Sequence, residues 1–72
     1  MTDLEVTVSP IEGGWRVQSA VIADLMFLSG ARAEEKARHL AACLARCGAD
    51  VMLVIQDRTS RVIGTRRYFA IA

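Results

Sequence analysis

FLSGARAEEKARHLAACLARCGADVMLVIQDRTSRVIGTRRY, residues 27–68, reads as the end of a strand, a capped helix, a glycine stop, a strand, a turn and a last strand. Ser29 stands where a helix N-cap belongs, since its hydroxyl can accept a bond from a first-turn amide. Glu34 and Glu35 lie towards the N-terminal end of that helix, where the dipole favours negative charge. At the helical repeat, Ala33, Ala37, Leu40, Ala41, Leu44 and Cys47 share one face, and Glu35, Arg38, His39, Ala42 and Arg46 share the other. The alanines on the apolar side let the helix axis lie close to a sheet. Arg46 suits the negative end of the dipole, and Gly48 suits the left-handed residue that closes a helix. The helix is therefore expected to run from Ser29 to about Cys47.

Val51 to Ile55 is apolar at both parities, the pattern of a strand buried on both faces. Asp57-Arg58-Thr59-Ser60 has the composition of a turn, because Asp and Ser side chains bond nearby backbone. A last strand opens at Arg61-Val62-Ile63 and continues towards Tyr68. On the other side of the helix, Leu4, Val6 and Val8 alternate with Glu5, Thr7 and Ser9, which predicts a strand with one wet face that Pro10 ends. Glu12-Gly13-Gly14 then supplies a turn. Trp15 and Val17 alternate with Arg16 and Gln18 in a second strand, with Trp15 an anchor pointing to the interior. A third strand ends at Phe27-Leu28, and the turn before it falls near Ser19-Ala20 or at Ala23-Asp24.

These elements give an α+β fold: an antiparallel sheet of four to five strands with one helix packed on one face, in the order β-β-β-α-β-β. A chain of 72 residues is one domain, residues 1–72, with a small core. It shows no internal repeat, low-complexity segment or linker.

The order Trp15-x-Val17, Phe27-x-Ser29, Ala33-x-x-x-Ala37, Leu40-Ala41, an apolar strand, Asp57, a hydrophobic pair and Arg66-Arg67-Tyr68 resembles the bacterial domain of unknown function family 2188. The resemblance covers roughly residues 14–68. It implies a compact antiparallel sheet with one helix against it, and brings no established activity. The turn after Asp57 departs from the family pattern by lacking its usual glycine.

Composition narrows the function. Met1-Thr2-Asp3-Leu4-Glu5 lacks the basic start and apolar block of a secretory signal, and no run approaches the roughly 20 apolar residues that span a bilayer. Cys43 and Cys47 fall within one helix, where a bridge would be strained, so a reduced, cytoplasmic chain is expected. The formal net charge is +1. Residues 1–30 carry one basic and four acidic side chains, and residues 31–72 carry eight and four. That asymmetry fits attraction within the fold or between copies of it.

No catalytic set emerges: the single histidine, His39, lies on the polar side of the helix, and no Ser-His or Cys-His pairing follows from the spacing. His39, Cys43 and Cys47 have metal-ligand chemistry, yet a row over two turns separates its ends by about 12 Å, too far for one ion. The two cysteines are read as packing residues, and no metal or cofactor is expected. Arg58, Arg61, Arg66 and Arg67 gather in the last hairpin beside Tyr68 and Phe69, the composition of a weak nucleic-acid surface. Their first reading is a solvated, charge-protected strand edge, on which reversing Arg58 and Arg61 to Glu should leave the fold intact.

One helix covers one face of a sheet. With the strand at Val51 to Ile55 apolar at both parities and 53% of the chain hydrophobic, the sequence points to a homodimer through the sheet face opposite the helix. The expected function is a structural or interaction module acting through self-association, with a further protein partner as an extension. A nucleic-acid-binding accessory protein using the arginine hairpin is the alternative, and a small-ligand binder at the cleft between helix and sheet is the third reading.

Overall fold

The computed structural model describes residues 3–71; Met1 and Thr2, where the segment read for a leader begins, lie outside the described residues. The elements are β1 (Asp3–Ile11), β2 (Gly14–Ser19), β3 (Ile22–Phe27), α1 (Gly30–Arg46), β4 (Asp50–Gln56) and β5 (Val62–Tyr68). They form an α+β fold in the order β-β-β-α-β-β, with one helix on a five-stranded sheet. The strand order is β3-β2-β1-β4-β5. Three of the four ladders are antiparallel, and the central one, β1 with β4, is parallel. Parallel neighbours need a long crossover, which β2, β3 and α1 together supply.

Strand β1 runs through Pro10 to Ile11 instead of stopping at the proline. Its pairing with β4 ends at Val8↔Ile55, whereas its pairing with β2 continues through Pro10↔Trp15 to Ile11↔Gly14. Beyond Val8 the strand has one free edge, where a residue without an N–H is tolerated. The turn between β2 and β3 falls at Ala20-Val21, the earlier of the two expected places.

The helix begins as its sequence implies. Ser29 is extended, and its hydroxyl accepts from the Arg32 amide at 3.4 Å. Caps of this type contribute about 1 kcal/mol. The first turn holds no acidic residue, so Glu34 and Glu35 lie past the reach of the dipole's positive end, and Glu34 instead pairs with Arg38 at 3.4 Å. At the other end Gly48 takes φ +100°, and two bonds of 3.1 Å close the helix, from the Gly48 amide to the Ala45 carbonyl and from the Ala49 amide to the Leu44 carbonyl. This is the Schellman arrangement, in which the left-handed residue turns the chain back so that its amides meet the last carbonyls.

The face of α1 against the sheet is a row of alanines, Ala33, Ala37, Ala41 and Ala45, all buried, with Leu40 and Leu44 packed at its border. Spacing by four keeps them in line along the helix. Beneath them lie Val6 and Val8 of β1, Val17 of β2, and Val51 and Leu53 of β4, each at most 1% exposed. Trp15, Leu25, Phe27, Ile55 and Tyr68 pack around this centre. Ala45 completes the buried row where Cys47 was expected; Cys47 is the C-cap, past the last helical residue, and it is exposed.

Strand β4 is buried on one face only. Val51 and Leu53 face the helix and are buried, whereas Met52 and Val54 are half-buried on the open face. The register explains the intermediate state: Met52 lies between Glu5 and Arg67, and Val54 lies between Thr7 and Thr65. Long polar side chains such as Glu5 and Arg67 cover neighbouring apolar surface with their stems while keeping their heads in water, and beside Val54 each threonine has a methyl group to set against it. Neither expected extreme, a dry second face or a bare apolar one, is what the strand presents.

Candidate functional site

The turn joining β4 to β5 is built by one carboxylate. Asp57 Oδ1 accepts from the Thr59 amide at 2.8 Å, the Thr59 hydroxyl at 2.6 Å and the Arg61 amide at 3.1 Å. The Asp57 amide donates to the Arg61 carbonyl at 2.9 Å, and the Ser60 amide to the Asp57 carbonyl at 3.0 Å. Ser60 takes φ +65°, a left-handed position uncommon for a residue with a side chain, and the Asp57 network holds it there. The Thr59 hydroxyl, followed by the Thr59 and Arg61 amides, keeps the Asp57 carboxyl below its ordinary pKa. A carboxylate lowered in the folded state adds stability that is fully present above its unfolded pKa and is lost as pH falls through the lower folded value. Below about pH 4 the parent should therefore lose melting temperature more steeply than Asp57→Ala, whose melt starts lower at neutral pH. Parallel acid profiles for the two proteins would show that the turn does not depend on the carboxylate's charge.

Arg58 leaves this turn and reaches the far hairpin. Its guanidinium donates to the carbonyls of Ile11 and Gly14, each at 3.0 Å, and lies 4.8 Å from the centre of the Trp15 ring. Charge-assisted bonds of this kind are roughly twice as strong as neutral ones. Arg58 is thus a clasp between two loops and not a free cation on an edge, which corrects the expectation that its sign can be reversed without cost to the fold. Trp15 sits inside that clasp, with its ring against Gly30: a Cβ there would stand 3.0 Å from the ring.

The other three arginines of the hairpin part company. Arg66 lies in register with Leu53 on the helix side and stacks over Tyr68 at 5.2 Å, whereas Arg67 lies in register with Met52 on the open face. Arg61 is exposed at the turn. The structure does not bring Arg58, Arg61, Arg66 and Arg67 together on one surface.

Among the described residues, no group of three or more His, Cys, Asp or Glu side chains is placed to hold a metal ion. Cys43 Sγ lies 3.8 Å from His39 Nε2 and accepts from Arg46 at 3.4 Å. His39, on the polar side of the helix, borders a groove of about 470 Å³ shared with Phe27, Arg32, Glu35 and Lys36. No helix among the described residues is long and apolar enough to cross a membrane.

The open sheet face is mostly polar. Glu5, Thr7, Ser9, Arg16, Gln18, Thr65 and Arg67 surround Met52 and Val54, and Arg16 lies 3.8 Å from Asp24. The exposed apolar side chains gather at the two ends of the sheet instead. Val21, Met26 and Leu28 flank or belong to β3, at 51%, 60% and 91% exposure. Val62 and Ile63 open β5, and Phe69 and Ile71 follow it. The segment after β5 was not legible in the sequence: the Ala70 amide donates to Asp50 Oδ1 at 2.8 Å and the Ile71 amide to the Ala45 carbonyl at 3.0 Å, which fastens it to the end of α1. Comparison of the chain with protein-family models, with curated proteins and with solved structures gives no match.

Proposed function

We propose that this protein is a non-catalytic structural module that acts by associating with itself, an assembly on which a further protein partner can build. The observation that carries this reading is the concentration of exposed apolar side chains beside unpaired sheet edges in a chain of only 72 residues. A strand edge offers a row of free amides and carbonyls, and a small domain gains from a second copy the core it cannot build alone. The nucleic-acid alternative has less support in the geometry, because Arg58 is engaged in its clasp and Arg66 and Arg67 lie on opposite faces of β5. Sedimentation at tens of micromolar tests the reading. A species of twice the 7.9 kDa protomer mass is expected, and a folded monomer throughout that range would refute it.

A further inference from the structure

The two free edges of the sheet differ in how they are defended. Strand β5 carries Arg66 and Arg67, both exposed, whereas an irregularity in register is common to both edge strands, β5 opposite Ile55 and Gln56 and β3 opposite Val17 to Ser19. Exposed charges of this kind keep edges from pairing with other chains, and they are what sets β5 apart. Strand β3, Ile22-Ala23-Asp24-Leu25-Met26-Phe27, has neither a lysine or arginine nor a proline, and its one charge, Asp24, is drawn to Arg16 within the same sheet. Met26 and Leu28 stand exposed along it.

Resting on the self-association reading above, we infer that β3 pairs antiparallel with β3 of a second copy, about a twofold axis at Leu25, so that two sheets become one continuous sheet. The sequence around Leu25 is complementary to itself in this register. Asp24 stands opposite Met26 of the partner subunit, Ala23 opposite the partner subunit's Phe27, and Ile22 opposite the partner subunit's Leu28. Ala23 leaves room for Phe27, Ile22 meets an apolar partner, and no carboxylate faces another, an opposition of like charges that would be unfavourable. Leu25 and Phe27 already turn towards the helix side through their pairing with Val17 and Trp15, so the joined strands extend that apolar layer across the axis. Beside β3 the helix flank carries Arg32, Glu35 and Lys36, both signs together, so two copies approach without a like-charged front. Self-pairing of one patch closes at two copies, whereas β3 against β5 would run on into a filament.

Three substitutions separate this surface from the open face. Met26→Asp sets a carboxylate opposite the partner subunit's Asp24 while placing it beside Arg16 in its own protomer, which preserves the fold. Leu28→Asp acts at a side chain 91% exposed, where burial in the protomer is not at stake. Each should weaken dimerisation by at least about tenfold in sedimentation, because like or unpaired charge is forced into the interface, with circular dichroism matching the parent. Val54→Lys, in the middle of the open face, should leave the dimer intact. A dimeric parent whose Val54→Lys variant is monomeric while both aspartate variants stay dimeric would overturn the β3 interface and move it to the open face. A monomeric parent would instead overturn the self-association reading on which the inference rests.

Discussion

Leu53→Ala is expected to lower stability by about 3 kcal/mol, in the range found when a buried leucine is cut back to alanine. Leu53 is 1% exposed and belongs to the cluster of Val6, Val8, Val17, Val51 and the alanines of α1. The loss combines the transfer energy of the missing methyl groups with the cavity left between a sheet and a helix already in close approach. Ala37 and Ala41 have no side-chain length with which to fill it. A domain of this size holds on the order of 4–11 kcal/mol, so the change removes a large part of the total. The melting temperature should fall by about 15 °C at fixed protein concentration, which matters because assembly adds to apparent stability. Val54→Ala, one residue along the strand but half-buried on the open face, should cost about 1 kcal/mol. Equal losses at the two positions would mean that the helix does not select the face on which β4 is buried.

Gly14→Ala is the second large effect. A Cβ at Gly14 would run into the Phe27 carbonyl oxygen, with the Phe27 carbonyl carbon at 3.4 Å and Leu28 Cα next at 3.7 Å. These are backbone atoms, so no side chain can rotate to make room, and β3 itself must move away from β2. A cost of about 2–3 kcal/mol is expected, as for overpacking in a site that cannot relax. Arg58 adds to it, since the Gly14 carbonyl is one of the two that its guanidinium holds. Gly64→Ala gives the contrast: nothing stands within 4 Å of a Cβ there, and removing a flexible residue from a strand should be neutral or stabilise by up to about 1 kcal/mol. Denaturant midpoints for the pair test both statements. A Gly14→Ala protein as stable as the parent would show that β3 is not pressed against the β1–β2 hairpin.

What the sequence determined was whatever depends on residues a few places apart. The hydroxyl of Ser29 and the left-handed Gly48 fix the ends of α1 because a cap is a bond to the first or last turn. Asp57 fixes its turn through amides two and four residues on, and the alternation of Val6 and Val8 with Thr7 marks the buried side of β1 because side chains change face at every step of a strand. From these signals the element order and the placement of one helix on one face of the sheet follow, whereas the apolar run Val51 to Ile55 did not reveal that β4 is buried on one face only. Tertiary structure decided everything that joins distant segments. The parallel pairing of β1 with β4 brings residues about 47 apart in the chain into register, and no local pattern encodes which strand will lie alongside which. That pairing leaves Pro10 free to stay within its strand, surrounds Met52 and Val54 with polar neighbours, and sends β3, which has no lysine or arginine, to an edge. Arg58 could not be told from its fellow arginines by composition, because the carbonyls it holds come from a hairpin more than half the chain away. Local chemistry acts through bonds a short chain segment can make by itself, whereas a sheet's order, its edges and its long-range clasps exist only after the whole chain has closed around its core.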